Sequence, residues 1–392
     1  ILSACSLYGA EHQDDWPMYR ADAAHSGYTS NPLSARLEIA WVRTTDNPPV
    51  PAWSGRDTRM PFDHAFQPVV SKGLVFWGSS SECKVFAADA KTGAEEWSFY
   101  TDSPVRFAPA IWNDRLFVVS DDGYLYCLTT QDGNLLWKKR GGPNAEMVLG
   151  NDRLVSRWPA RGGVVIKDGI LYFGAGLWPN EGVYLYAIDA STGEVLWVND
   201  SSGGQVTEQP HRGNRTKSGV SIQGYLTIAG DSLIAPAGRA TPAIFDRNTG
   251  AFKDFHLMKY SGGMGKRKGA GPFATAINTN YFIAEDASFQ ATSGSFVARG
   301  LPVNSTAVSP DLLVFSQGNK INAIKKSSFP STTTNRNGKA MTSIGTIDWS
   351  ISCSDPVGVS VRRATDNRYA KNFPELTKTA NPPLIVAGTT IV

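Results

Sequence analysis

The sequence predicts an all-β fold, a propeller of four-stranded antiparallel blades, on three observations. The first is a hairpin that recurs along the chain: VYLYAIDASTGEVLWV over Val183–Val198, with kin at Val85–Trp97, Tyr124–Trp137 and Pro242–Phe255. The second is the spacing of its turn glycines, Gly93, Gly133, Gly193 and Gly250, which lie 40, 60 and 57 residues apart, the size of one supersecondary repeat. The third is that a further apolar hairpin precedes each copy, which makes four strands per unit. Such a unit cannot bury both its faces alone, so copies must pack on one another, and radial packing of four-stranded sheets is a propeller.

Within each repeat the residues have separable tasks. Val183, Leu185 and Ala187 alternate with Tyr184, Tyr186 and Ile188, the period of a strand. Asp89, Asp189 and Asp246 precede their turns, where a carboxylate can accept from turn amides and the following glycine adopts a positive φ without steric cost. Phe66–Val70 and Leu74–Gly78 supply the first two strands before the Val85 copy, and Phe107–Trp112 and Leu116–Ser120 those before the Tyr124 copy. Beyond residue 260 the pattern weakens. Phe273–Glu285 and Val303–Gln317 still read as paired strands, Trp349 as a closing tryptophan, Ser327–Lys339 as an exposed polar loop, and Asp366–Phe373 as a short helix.

The chain of 392 residues is expected to hold about six to seven blades: six complete, and one begun at Leu384–Val392 whose second half is missing, as in a fragment of a seven- or eight-bladed propeller. Leu37–Arg43 is the expected N-terminal strand that closes the last blade. Residues 1–14 form a leading segment and residues 15–392 a single propeller domain. Leu2-Ser3-Ala4-Cys5 has the small residues of a lipidation site at Cys5, with Glu11–Asp15 as a polar spacer, so the protein is expected to be exported, periplasmic and anchored through lipid. A net charge of +3 gives no reason to expect nucleic acid, and no run of about 18 apolar residues is present to span a membrane.

Asp15–Tyr28, DWPMYRADAAHSGY, followed by repeats of the form DA-x-TG-x-x-x-W, resembles the pyrroloquinoline quinone (PQQ)-like β-propeller family over residues 15–260. That family includes PQQ-dependent dehydrogenases, the propeller lipoprotein of the outer-membrane β-barrel assembly machine, and many exported bacterial propellers. The resemblance implies that Trp97, Trp137 and Trp197 dock between neighbouring blades. It also raises the question of a quinone held over calcium. The family's dehydrogenases use adjacent cysteines, whereas Cys5, Cys83, Cys127 and Cys353 are scattered, without metal-ligand spacing or a disulfide framework, and Cys-x-x-Cys-His is absent.

Aligning the residues that lead into the first strand of each repeat gives His64, Arg106, Arg161 and Lys217, with Lys266, Arg267 and Lys268 in the fifth. A cation or histidine recurring at equivalent positions predicts a basic rim for an anionic ligand, since converging charges strengthen one another in a concave, low-dielectric site. Trp53, Trp158 and Trp178 lie in loops where rings could stack on such a ligand. Glu208 and His211 place a carboxylate near an imidazole, while Gly262–Gly271 lacks the ending of a phosphate-binding loop. His25 reads as a structural hydrogen-bonding residue.

Three functions follow. The favoured one is a non-catalytic envelope propeller that binds a protein or an anionic ligand. The second is a quinoprotein dehydrogenase with PQQ and calcium. The third is a polysaccharide lyase on an acidic glycan, with His64 or His211 as base and Arg106, Arg161 and Lys217 facing the uronate.

Overall fold

The computed structural model describes residues 15–33, 39–52, 66–150, 153–208, 214–238, 240–255, 271–334, 337, 340–352, 384–387 and 390–391. Six antiparallel sheets of four consecutive or near-consecutive strands follow one another along the chain, a PQQ-like propeller. Blade 1 begins at Val69–Ser71, blade 2 at Ala110–Trp112, blade 3 at Gly162–Lys167, blade 4 at Thr227–Ala229, blade 5 at Ala274–Ala276 and blade 6 at Thr306–Val308. Blade 3 gains a fifth strand, Gly224–Tyr225, parallel to its first. The seventh sheet contains Val386–Ala387 and Thr390–Ile391, with Tyr28–Thr29 parallel to the former.

Burial gives the radial order. First strands are buried almost throughout, as in Thr227–Ala229 and Thr306–Val308. Fourth strands alternate, and in Glu95–Tyr100 and Leu135–Arg140 the tryptophan is among the inward residues. The core is therefore a series of apolar layers between adjacent sheets, beginning with Phe76, Val85, Leu116, Phe117, Leu125 and Phe173.

Adjacent blades are also fastened by one repeated contact. The indole N–H of Trp97 donates to Thr130 O at 3.0 Å, and that of Trp197 donates to Arg247 O at 3.0 Å; each ring covers the turn glycine of the next blade. Asp89, Asp189 and Asp246 each accept two turn amides on one carboxylate oxygen, which holds the carbonyl and glycine in place. In blade 2 Thr129 replaces the aspartate and accepts Asn134 N at 2.9 Å. Trp137 covers Gly193 in the same way, but its buried Nε1 finds no acceptor among the described residues, and Arg115 reaches Ala190 O instead.

Trp41 repeats the contact onto blade 1, donating to Ala90 O at 3.0 Å and lying over Gly93. Residues 39–43 thus have the side-chain placement of a fourth strand, yet they pair with no sheet among the described residues. Among the described residues the N-terminal strand that joins the seventh sheet is Tyr28–Thr29; of the expected Leu37–Arg43 strand, residues 39–43 are not in that sheet, and Leu37 and Glu38 lie outside the described residues. Trp349–Ser352 closes blade 6 as expected. The expected loop at Ser327–Lys339 is in part a strand: Ser331–Thr334 pairs with Ala340–Ser343, because threonines suit a pleated edge. The helix expected at Asp366–Phe373 and the leading segment with Cys5 fall outside the described residues.

The Asp15–Tyr28 stretch crosses the centre and bonds to every blade in turn. Trp16 exchanges two backbone hydrogen bonds with Val70, Pro17 O accepts from Ile111 N, and Met18 Sδ accepts from Ile166 N. Ala23 O then accepts from Ile228 N, Ala24 O from Ala276 N, Ser26 O from Val308 N and Gly27 O from Val386 N. Each acceptor meets the first strand of the next blade. Arg20, buried, ties the same segment to the carbonyls of His25, Asn304, Thr306 and Leu384. His25 Nδ1 lies 3.0 Å from Ala274 O and 2.8 Å from Thr227 Oγ1, and burial brings its pKa down to about 3.

Two measurements probe these contacts. Gly133 has φ +69°, and an added Cβ would stand 2.5 Å from the Trp97 ring, so Gly133→Ala is expected to destabilise by about 3 kcal/mol in urea denaturation. In a Trp97→Ala background the ring conflict disappears, and only the backbone cost of about 1–2 kcal/mol should remain. His25 is neutral in the folded chain, whereas in the unfolded chain it gains a proton below about pH 6.5. Its contribution is complete above that pH and is lost as pH falls towards 3. Between pH 6.5 and 5 it should cost about 2 kcal/mol, and His25→Asn should remove that slope from thermal unfolding.

Candidate functional site

The first strand of blade 3 separates two faces. Arg161 precedes it and Lys167 ends it, so the two residues stand at opposite mouths of the propeller, roughly 17–20 Å apart along the strand. The central segment lies at the Lys167 mouth, because Met18 meets Ile166. The Arg161 mouth carries the loops that lead into first strands and those between second and third strands.

At this mouth Arg106 and Arg161 converge, as their equivalent positions in the repeats require. They converge on Asp121, in the turn Ser120-Asp121-Asp122-Gly123 of blade 2. Arg106 Nε donates to Asp121 Oδ2 at 2.6 Å, while Arg161 donates from Nε to Oδ1 at 2.9 Å and from Nη2 to Oδ2 at 3.0 Å. Arg106 Nη1 also reaches Val50 O. All three side chains are at least nine-tenths buried. Burial alone raises the Asp121 carboxyl, and the two guanidiniums outweigh it and hold the group below the usual carboxylate range. The two arginines of the expected basic rim are thus engaged with a shared carboxylate.

Asp122 beside it is pushed upward by burial, although it accepts from Tyr126 Oη at 2.7 Å and Tyr124 N at 2.9 Å. Two neighbouring carboxyls with opposed shifts are a pattern seen in acid–base pairs. Here, however, Asp121 is enclosed by arginine and Asp122 is occupied by tyrosine and backbone.

The axis below the arginines is filled. Phe107 meets Tyr225 edge-on at 5.0 Å, Tyr225 stacks on Tyr19 at 3.8 Å, and Phe273 stacks on both. Gly163 makes this possible, since a Cβ there would stand 3.0 Å from both Phe107 and Tyr225. The stack links the residue after Arg106 to the central segment.

Of the other rim residues, the one that is described, Lys217, does not join this cluster. Lys217 is exposed in a separate hairpin, Val206–Glu208 with Arg215–Lys217. His64, His211, Lys266, Arg267, Lys268 and Trp53 lie outside the described residues. Trp158 is buried, its indole donating to Glu181 O at 2.7 Å, and so presents no face to a ligand; Trp178 is partly exposed. No three His, Cys, Asp or Glu side chains come together among the described residues, and the two carboxyls nearest the arginines are already engaged. These residues do not fit a calcium-held quinone. Cys83 and Cys127 are free thiols.

Between blades 2 and 3 the chain makes a hairpin, Met147–Gly150 with Arg153–Ser156, in which Leu149 pairs with Leu154. Its inner side is secured: Val155 is buried, Ser156 N donates to Asp121 O at 2.7 Å, and Ser103 Oγ donates to Leu154 O at 2.9 Å. Arg153 reaches Ser80 O in blade 1, and Arg157 at the base binds Glu146 and Glu181. Its outer side shows Leu149 at 77% exposure and Leu154 at 63%, with Met147 beside them. The Arg153–Ser156 strand is fastened to the blade loops, which leaves Met147–Gly150 as the outward edge.

These features define a repeat propeller with one mouth occupied by its own N-terminal segment and the other crowned by a fixed hairpin. The family described as "Outer membrane protein assembly factor BamB" matches residues 40–259, more than half of the sequence, and the chain belongs to that PQQ-like family. It is 31% identical over 208 residues to the dehydrogenase subunit of the alcohol dehydrogenase (quinone) of Gluconobacter oxydans, covering 47% of this chain and 24% of that one. It is 27% identical over 147 residues to the quinoprotein ethanol dehydrogenase of Pseudomonas aeruginosa, covering 34% and 22%. The chain thus spans about a quarter of the length of these curated relatives. Among solved structures, BamB from Moraxella catarrhalis aligns over 71% of this chain and 73% of its own with 16% identity and a TM-score of 0.42. A europium-containing methanol dehydrogenase aligns over 88% and 74% with 14% identity and a TM-score of 0.48.

Asp121→Asn would remove the carboxylate charge that two buried guanidiniums share. It is expected to destabilise the chain by about 3–5 kcal/mol in urea denaturation, well beyond the effect of an exposed Asp→Asn change such as Asp231→Asn.

Proposed function

We propose that the chain is a non-catalytic binding module of the bacterial cell envelope, exported and holding a partner protein at the mouth opposite its central segment. The observation that carries this reading is the hairpin of Met147–Gly150 and Arg153–Ser156. It exposes Leu149 and Leu154 side by side on a base fixed by Asp121, Ser103, Glu146 and Glu181. Exposed leucines on a rigid support recover their burial energy on docking without the entropy cost of ordering a loop.

The outward edge of Met147–Gly150 suits addition of an extended strand from the partner, with main-chain hydrogen bonds giving affinity and the leucines giving register. The family's description as an outer membrane assembly factor supports an envelope setting and a protein partner. The engaged Arg106–Asp121–Arg161 cluster and the filled axis favour binding over chemistry at this mouth.

The test is affinity capture from a bacterial envelope extract, comparing the wild-type chain with a Leu149→Asp, Leu154→Asp variant whose fold is checked by circular dichroism. Two buried leucines together contribute about 3 kcal/mol, so a specific partner should be held about 100-fold more weakly by the variant. Equal capture by both proteins, or no partner for the wild type, would remove this reading.

A further inference from the structure

Two insertions occupy the same place in consecutive repeats. The hairpin of Met147–Gly150 and Arg153–Ser156 joins the fourth strand of blade 2, Leu135–Arg140, to the first strand of blade 3. The hairpin of Val206–Glu208 and Arg215–Lys217 joins the fourth strand of blade 3, Val195–Asn199, to blade 4. Equivalent connections of neighbouring blades leave by the same mouth, here the one marked by Arg161. The blade 3 turn Pro179–Glu181 meets the bases of both: Glu181 holds Arg157 below the first hairpin, and a Cβ at Gly203, just ahead of the second, would lie 3.1 Å from Pro179 O.

The second hairpin is fixed at its base as the first is. Ser218 N donates to Gln205 O at 3.0 Å, Gly219 N to Gly203 O at 3.2 Å, and Thr207 Oγ1 to Ser218 O at 2.9 Å. Its register sets Val206 opposite Lys217 and Glu208 opposite Arg215, so strand alternation places Val206, Arg215 and Lys217 on one face. All three are exposed. Arg215 and Lys217 are two residues apart on one strand, about 7 Å at the backbone, which lets both meet one short acidic segment. Over residues 206–217 the sequence carries Arg212, Arg215 and Lys217 against Glu208 alone. The first hairpin differs, since Asp152 and Arg153 balance over residues 147–156 and its outward features are Leu149 and Leu154.

From this arrangement we infer that the two hairpins form one bipartite docking surface, whose occupant is an extended protein segment, apolar where it lies on Leu149 and Leu154 and acidic where it reaches Arg215 and Lys217. The inference rests on the partner-binding reading above and adds the chemistry of the partner. Charge complementarity sets the occupant: a neutral segment would gain nothing at the second hairpin, and a basic one would be repelled there. Packed sheets lie about 10 Å apart, so a segment of about ten extended residues, roughly 33 Å long, covers the hairpins of adjacent blades.

The test uses the full chain and two fluorescein-labelled ten-residue peptides. They share an alternating valine–threonine half and end in four glutamates or four glutamines, with the halves prepared in both orders. Fluorescence anisotropy at about 50 mM salt should show saturable binding of a glutamate peptide, about fivefold tighter than its glutamine counterpart, the worth of two exposed ion pairs. The preference should vanish in Arg215→Gln, Lys217→Gln and at about 1 M salt, where the Debye length is about 3 Å. Leu149→Ser, Leu154→Ser, which adds no charge, should weaken both peptides at least tenfold. Unchanged thermal unfolding would show that each variant is folded. No saturable binding, equal affinity for the two peptides, or a preference that survives Arg215→Gln, Lys217→Gln would overturn the acidic half. Equal affinity together with a loss in the serine variant would do so while leaving the partner surface at the leucines in place. A glutamate peptide held undiminished by the serine variant would overturn the single surface.

Discussion

The structure depends on the backbone carbonyls of a short central segment. A propeller's first strands converge on its axis, and in blades 1, 2, 4, 5 and 6 the edge facing that axis has no neighbouring strand among the described residues to satisfy it. An unpaired amide in such a place costs roughly 1–3 kcal/mol once water is excluded. Residues 16–27 meet this requirement with one acceptor for each of the seven first strands, while Arg20 draws the segment against blades 6 and 7. The buried His25 and the Tyr19 stack then fill the volume that carbonyls alone would leave open.

Around this axis the blades are held at their outer ends by a different interaction. The tryptophan contact works because three residues act together: an aspartate fixes the turn, the turn presents a carbonyl, and a glycine leaves room for the ring. Each contact crosses from one blade to the next, so apolar burial and hydrogen bonding act on the same joint. Where one part changes, the joint adjusts without being lost. Trp137 keeps its ring over Gly193 while Arg115 takes the carbonyl that its indole would have used.

Much of this was readable in the residues. The Asp-x-x-Thr-Gly turns, the closing tryptophans and the alternation of apolar positions are local, and a local pattern survives in the sequence. Arg106 and Arg161 were legible for the same reason, since each directly precedes a first strand. Their meeting with Asp121 was not, because that aspartate lies on another loop, within a Ser-Asp-Asp-Gly stretch that reads as an ordinary turn. The central segment announced itself only as a motif: apart from Met18 Sδ, its acceptors are the main-chain carbonyls of Trp16, Pro17, Ala23, Ala24, Ser26 and Gly27, which no side-chain pattern encodes. The hairpin at Met147–Ser156 had a usable signal in Met147, Leu149 and Leu154 alternating about Gly150, although alternation cannot say which side faces solvent.

The order of the acceptors has a consequence for how such a chain can vary. They occur along residues 16–27 in the same sequence as the blades around the axis, so the segment acts as a gauge against which blades are counted. Duplicating one repeat would add a first strand with no carbonyl assigned to it. Deleting one residue between Met18 and Ala23 would displace the later blades against the earlier ones by one step. Insertions can accumulate freely at the rim, as the hairpin between blades 2 and 3 and the one within blade 6 show. The number of blades can change only if those twelve residues change with it.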